Sequence, residues 1–505
     1  MMMNTTAWIW AGFAAVLAAA IAVYELLFRN NKRKRLPPGP KGLPILGHLH
    51  LLGKNPHQDM QKLSKTYGPM MYLRLGLTDN IIVSSPQAAE RFLKTHDLNF
   101  ASRPPNQAAN YIAYEQRDLA FGPYGPFWRN MRKLCTLELL SNLKINSFQS
   151  MRREELGLVV DSFKQAAQNG KAVDLSTTIS SMSMDMSCRM VFGKTYKNQD
   201  FGEMGFKALI HEIVYLAAVP NLGDYFPFLG KLDVQGFTRR MKAVGKLTDQ
   251  FMERIVEEHE EAASKGITNK TKDFVDTLLE IMKSANTDFQ FSRKHVKAMM
   301  LDILVTSMDT SSTVIEWTMS ELFRHPEIMK KVRDEVAEKV GYDRMVEEAD
   351  LEGLEYLEMV VKESLRLHPV VPLLLPHIAM DDCVVDDFHV PKNTRVMVNA
   401  WAIGRDPNVW SNPEKFNPER FSKNRVDYRG RDFELIPFGS GRRSCPGLQL
   451  GITVVRHVVA QLVHCFDWTL PNKMLPEDLD MTESFGLVIS RDKPLMAIPT
   501  YRLPQ

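Results

Sequence analysis

Cys445 is the sharpest chemical signal in the chain. It stands with Phe438, Gly441, Arg443 and Gly447 in the spacing F-x-x-G-x-R-x-C-x-G. Glycines let backbone approach a flat ligand closely. Arg442 and Arg443 supply positive charge that favours a thiolate. A helical pattern begins at Leu448, so the sulfur lies near a helix N-terminus, which favours an anion again. A thiolate there is a metal ligand; the alternative is a buried structural cysteine. Gly439 and Gly441 also form a fragment of a dinucleotide fingerprint, but no strand–turn–helix unit surrounds it. A second signal is Thr306, Ser307, Asp309 and Thr310 on a long helical run. An acid beside a hydroxyl can order water and deliver protons. The alternative is that Thr310 back-bonds within its own helix. A third is Glu363 with Arg366, three apart on one helix face. By spacing alone that is a surface ion pair of little weight.

Taken in order, these residues resemble the cytochrome P450 family. The cysteine motif matches the family's haem-binding loop at every defined position. Glu363 and Arg366 match its Glu-x-x-Arg pair, and Pro418, Glu419, Arg420 and Phe421 match the segment whose arginine joins that pair. Trp128 and Arg132 match its tryptophan–arginine motif over a haem edge. The resemblance covers the whole chain. It implies haem b with Cys445 as axial thiolate, a ligand that favours O–O cleavage. It implies that Glu363, Arg366 and Arg420 form a buried fold element. Trp128, Arg132, His377 and Arg443 would meet the haem propionates, which need donors. Phe438, Gly441 and Gly447 would shape the loop around the haem.

The resemblance also assigns Asp309 and Thr310 to oxygen activation. Thr306 and Ser307 depart from the usual small residue and glycine, adding bulk and hydroxyls near the oxygen pocket. That departure suits either an extra water in the proton relay or a non-standard oxidation such as ring closure. By family position an apolar substrate pocket draws on Leu304, Val370, Val371, Leu374, Phe485, Leu487 and the 104–121 segment. No flavin or nicotinamide domain is visible, so electrons would come from a separate NADPH-dependent reductase, with cytochrome b5 as a further donor. Arg129, Lys133 and Arg442 form a candidate basic docking surface. Residues 36–40 and 400–406 look like the large plant group that oxidises secondary metabolites. The implied function is oxidation of an apolar plant metabolite, either a phenylpropanoid-derived aromatic (flavonoid or coumarin type) or a terpenoid. The rivals are a haem-thiolate isomerase, dehydratase or oxidative cyclase, and a haem-binding protein with impaired catalysis.

The elements that must hold these groups are mostly helical, with a minor β lobe. Residues 86–370 show apolar positions at three- and four-residue spacing, as in 241–260 and 273–282. Residues 291–324 read as one long helix capped by Ser292 and closed before Pro326. Strands are expected at 71–75 and 81–84 around a turn at 76–80, and later at 383–385 and 394–399. Residues 8–28 carry one charge, Glu25, and are long enough to cross a hydrocarbon core of about 30 Å. Trp8 and Trp10 flank one end; Arg29 and the Lys32 to Arg35 cluster flank the other and mark the cytoplasmic side. A cleaved signal peptide needs the reverse order. The expected organisation is a membrane anchor over 1–30, a basic, proline-rich strap over 31–47, and one large haem domain over 48–505. The haem domain would sit on the cytoplasmic face of the endoplasmic reticulum. Five widely spaced cysteines argue against a disulfide framework. A net charge of +3 is too small to make nucleic acid the default partner.

Overall fold

The computed structural model describes residues 35–504, apart from 197–199, 202–203, 267–270, 285–288 and 424. The expected membrane span over 8–28 lies outside the described residues. Among those described, Leu448–Cys465 is long and apolar enough to cross a bilayer, but 72% of it is buried, which makes it a core helix.

The strap enters along the sheet. Tyr72 donates its N–H to Pro38 O at 2.8 Å, and His48 reaches Pro40 O at 2.9 Å. Helix α1 (Pro56–Tyr67) then leads into strands β1 (Met70–Leu75) and β2 (Thr78–Val83). Their turn is two residues, tighter than the composition suggests. Thr78, Asp79 and Asn80 look like turn residues but pair with Leu75, Arg74 and Leu73. The Tyr72 hydroxyl donates to Asp79, which gives that acid a partner inside the ladder.

Helices α2 (Gln107–Ile112), α3 (Pro126–Leu134), α4 (Leu175–Phe192), α5 (Phe206–Ala218) and α6 (Phe237–Ser264) lead to α7 (Arg293–Arg324). Ser292 caps α7 in a reciprocal box, with His295 Nδ1 accepting the Ser292 N–H at 3.1 Å. His325 and Pro326 end it, because proline cannot continue the i→i−4 ladder. α7 is apolar on most sides and runs through the main core. It meets α4 along small hydroxyl residues that let the two backbones come close.

Helix α8 (Glu355–Leu367) is followed by β3 (His377–Ile378), β4 (Arg395–Val398) and the final helix α9 (Leu448–Cys465). The larger sheet has the order β1-β2-β4-β3, with β2 and β4 parallel and Val83 opposite Val398. Ile81, Val83, Val396 and Val398 bury one face of it, each contributing roughly 1.5–3 kcal/mol. At the other end Phe466–Thr469, Met496–Tyr501 and Val173–Asp174 form a second small sheet. The architecture is the mainly α fold with a minor β lobe that the pattern predicts.

Candidate active site

The cysteine loop is shaped by main-chain geometry. Gly441 has φ +69°, and a Cβ there would lie 2.5 Å from Leu93 O, so only glycine fits. Cys445 donates its N–H to Phe438 O at 2.8 Å, closing the turn. The thiol itself is open to solvent, yet protein surrounds it on nearly every side, as for a group lining an internal cleft. Burial pushes its pKa up, while the Gly447 and Leu448 N–H groups and the Arg132 charge pull it down. Those N–H donors belong to the start of α9 and suit a thiolate. Phe438 packs edge-on to Tyr428 at 6.1 Å.

Around the loop the structure gathers cations. Arg132 donates to Ser444 O at 2.7 Å, tying α3 to the loop. Arg443 stacks at 3.8 Å over Trp128 and donates to Ala101 O and Gly122 O, both at 2.6 Å. Trp128 donates its indole N–H to Leu119 O at 3.0 Å, so in this structure the ring acts mainly as a platform for Arg443. His377 reaches Phe100 O through Nδ1 at 2.7 Å, leaving Nε2 for a ligand. Arg103, which sequence reading did not single out, donates to Leu375 O at 2.6 Å, Pro376 O at 3.0 Å and Ala120 O at 3.1 Å.

These groups repel one another. Burial, then the Arg103 charge, pushes Arg443 down to about 9. Burial pushes Arg103 to about 9 as well. Burial with the Arg103 and Arg443 charges holds His377 well below the usual imidazole range. Asp118 is the acid that offsets Arg103 and Arg443. A buried cluster with this excess of positive charge is a receptor for anions. With an accessible thiol and a glycine-shaped loop beside it, the donor set fits a flat, dianionic haem.

Glu363, Arg366 and Arg420 come together as the motif implies. Arg366 grips Glu363 through two bonds of 2.7 and 2.8 Å, and Arg420 adds a third at 3.0 Å. The Asn417 N–H donates to the same carboxylate at 2.7 Å. Arg366 also donates to Gly404 O, to Pro413 O at 2.7 Å and to Lys415 O at 3.2 Å. Glu363 and Arg366 are fully buried, so the pair is no surface salt bridge.

A cavity of about 150 Å³ opens along α7. Leu301, Asp302, Val305, Thr306, Asp309 and Thr310 form that wall of it, at the spacing of one helical face. Leu304 lies on another face of α7 and is fully buried in the core, not on the cavity wall as expected. Val371 and Leu487 do line the cavity. Val370, Leu374 and Phe485 do not. Val370 accepts Ile489 N–H at 2.8 Å, Leu374 packs by the sheet, and Phe485 stacks on His57.

Thr310 donates to Thr306 O at 2.8 Å, and Thr306 to Asp302 O at 2.7 Å. Both hydroxyls therefore back-bond, and each keeps an oxygen lone pair free to accept from the cavity. Burial raises the Asp309 carboxyl pKa, opposed by the His211 and Lys207 charges on α5. Ser307 departs from expectation. Its hydroxyl faces α4, bonding Ser187 Oγ at 2.8 Å and Ile303 O at 2.6 Å, and adds nothing to the cavity. α9 approaches the same helix: a Cβ on Gly451 would lie 3.7 Å from Ser311 Oγ.

On the outer side of α3, Arg129 and Lys133 are exposed one turn apart. Arg442, expected beside them, is paired with Asp97 at 2.8 Å.

A helical domain around a cysteine loop, a Glu–Arg hub and an acid–hydroxyl helix defines a haem-thiolate oxygenase. The family model described as Cytochrome P450 matches residues 37–496. A cytochrome P450 of Panax ginseng is 53% identical, covering 97% of this chain and 98% of the relative. A flavonoid 3'-monooxygenase of Petunia hybrida is 41% identical over 95% of each. Among solved structures, a zebrafish cytochrome P450 with progesterone aligns with TM-score 0.75 at 27% identity, covering 89% of this chain and all of that one. This chain belongs to the cytochrome P450 family. It is a monooxygenase that uses haem b and draws on NADPH indirectly, through a reductase.

Proposed function

We propose that this chain is a membrane-bound hydroxylase of a neutral, phenylpropanoid-derived aromatic of the flavonoid type. The observation that carries the reading is the cavity wall. It is apolar except for Asp118, Asp302, Thr306, Asp309 and Thr310, so it suits a flat aromatic with few polar groups. The relatives named as flavonoid 3'-monooxygenase or flavonoid 3',5'-hydroxylase support the same class. Cys445 would ligate the iron, and Arg103, Arg132, His377 and Arg443 would hold the propionates. Trp128 would support Arg443. The bound haem supplies reduction of O₂ and transfer of one oxygen atom to the substrate. The other oxygen leaves as water, with two electrons from NADPH and two protons. This chain's contribution is to hold the aromatic against α7, to exclude bulk water, and to move those protons through Asp309 and Thr310. Burial favours the protonated form of the Asp309 carboxyl, and the Thr310 oxygen can accept from a water and pass its own proton on.

Membrane attachment would combine the 8–28 span with an apolar patch beside the strap. Leu43, Leu46, Leu77, Phe228, Leu232 and Val234 are all exposed. Leu77 N–H bonds Tyr225 O at 3.0 Å and Gly76 N–H bonds Leu46 O at 3.2 Å, which joins the segments. An apolar patch of that kind suits an interface with lipid. The catalytic domain would then face the cytoplasm at the endoplasmic reticulum.

The test is product analysis. Membranes carrying this chain and an NADPH-dependent reductase are incubated with the flavanone naringenin or the terpene limonene. The expected product is naringenin heavier by one oxygen atom, dependent on reductase. Oxidation of limonene alone would move the reading to terpenoids, and turnover without reductase would move it to an isomerase or dehydratase.

In the same assay, Thr310→Ala is expected to lower product per NADPH severalfold and to raise peroxide release. Ser307→Gly is expected to leave that ratio near the parent value, because its hydroxyl serves the α4 contact. Equal uncoupling by both changes would contradict the geometry.

A basic docking face on α3 gives a further expectation. Charge reversal at Arg129 and Lys133 slows the first electron transfer and weakens its dependence on ionic strength, while substrate binding is unchanged. Stopped-flow reduction under carbon monoxide measures it.

A further inference from the structure

The loop 118–122 lies between α7 and the cysteine loop, and most of its polar main-chain groups are engaged. Its carbonyls hold the cationic side. Leu119 O accepts from Trp128 at 3.0 Å and Arg443 at 3.3 Å, Ala120 O from Arg103 at 3.1 Å, and Gly122 O from Arg443 at 2.6 Å. Its N–H groups hold the acidic side. Leu119 N–H donates to Asp302 on α7, and Phe121 N–H donates to Asp118 at 3.1 Å. Ala120 and Phe121 line the same cavity as Thr306 and Asp309.

Two carboxyl groups meet there. Asp118 is 3% exposed, and no well-aligned donor reaches its buried Oδ1. A charged oxygen left that way costs more than the roughly 1–3 kcal/mol of an unsatisfied neutral group. The side chain beside it is Asp302, which interacts with it directly. Two adjacent acids out of water cannot both ionise, and one proton between them supplies the missing donor. We propose that Asp118 and Asp302 share a single proton, and that this carboxyl–carboxylate pair clamps the 118–122 loop to α7 and so sets the width of the substrate cavity. Asp302 is then a positioning residue.

The surrounding charges say which acid keeps the proton. Arg443 and Arg103 flank Asp118 and favour its charged form. The Cys135 thiol, which burial pushes up to about 12, offers Asp302 no cation. Burial raises Asp118 to about 6; burial and the Asp118 charge raise Asp302 well above the carboxylate range. A proton held on a raised group is present at low pH and is lost as pH climbs through that raised value. The clamp is therefore complete below the raised Asp302 value and loosens as pH climbs through it. Gly122 limits how the loop can readjust, since a Cβ there would lie 2.2 Å from Asp118 O.

The holoenzyme carries the test. Infrared spectra at neutral pH read protonated carboxyls directly, whatever the substrate. The parent is expected to show a buried carboxylic-acid C=O band that Asp302→Asn removes. Asparagine can still accept from Leu119 N–H and donate to Asp118, so it rescues the clamp without a titrating proton. Clotrimazole, a bulky apolar imidazole, probes the cavity, and imidazole is the control that needs no cavity wall. Relative to imidazole, clotrimazole affinity is expected to be parental in Asp302→Asn and about tenfold weaker in Asp302→Leu, as for loss of one buried bond of roughly 1.4 kcal/mol. The ratio is expected to fall with rising pH in the parent and to stay flat in Asp302→Asn. An unchanged carboxyl band in Asp302→Asn overturns the shared proton, even if Asp302→Leu does not fold. An equal pH slope in parent and Asp302→Asn overturns the clamp. Either failure leaves the flavonoid reading standing, because neither probe is a flavonoid.

Discussion

Cys445→Ser is expected to abolish the reduced carbon-monoxide band at roughly 450 nm, a position that reports thiolate ligation. It is also expected to reduce oxygenation to background. Serine matches the shape of cysteine, and the loop is closed by the residue 445 N–H to Phe438 O, a bond the change leaves alone. The fold should therefore survive while the spectrum and the reaction do not. The alcohol is far less acidic than a thiol, and the N–H groups of Gly447 and Leu448 cannot make it an anionic ligand of comparable strength. Carbon-monoxide difference spectra with a parallel far-ultraviolet circular dichroism trace separate the two effects. A normal band in the mutant would remove Cys445 from the iron.

The second large effect is expected from Arg366→Ala. That change strips Glu363 of two of its hydrogen bonds and leaves the carbonyls of Gly404, Pro413 and Lys415 without this donor. Breaking a buried ion pair costs about 3–5 kcal/mol. Whole-protein stability is typically about 5–15 kcal/mol, so the loss is a large share of it. The expected outcome is little holoprotein and a sharply lowered Tm. Arg366→Lys rescues poorly, because an ammonium cannot reproduce a planar fork that reaches Glu363 and three carbonyls together. Haem content per protein, measured by the pyridine haemochrome, is the readout. Near-parental haem content in Arg366→Ala would show that the hub is dispensable.

The parts of this site that were legible in the sequence are those written as short, fixed spacings. The cysteine loop, the pair on α8 and the acid–hydroxyl pair on α7 each sit within a few residues. Their chemistry therefore shows in the string itself. The Asp118 and Asp302 pair and Arg103 did not show, because their partners come from distant parts of the chain and only the fold brings them together. Periodicity predicted that α7 is a helix but not which face meets the cavity. That phase decides between Leu304, which is buried in the core, and Leu301 and Val305, which line the wall. The same phase turns Ser307 toward α4. A usable signal was present: Ser183 and Ser187 on α4 mark a small-residue seam for the opposite face of α7.

The arginines of the Glu363 hub and of the cation cluster mostly address peptide groups. Arg366 and Arg420 bind the carbonyls of residues 404, 411, 412, 413 and 415, and Arg103 and Arg443 bind those of 101, 119, 120, 122, 375 and 376. A carbonyl is the same in every amino acid. The gripped segments are thus free to drift in sequence while the gripping residues are not. Gly404 and Gly122 are exceptions, since a Cβ would lie 2.3 Å from Arg366 O at the first and 2.2 Å from Asp118 O at the second. Cavity-lining loops held in this way can exchange side chains, and with them substrate preference, without loosening the frame that holds the haem.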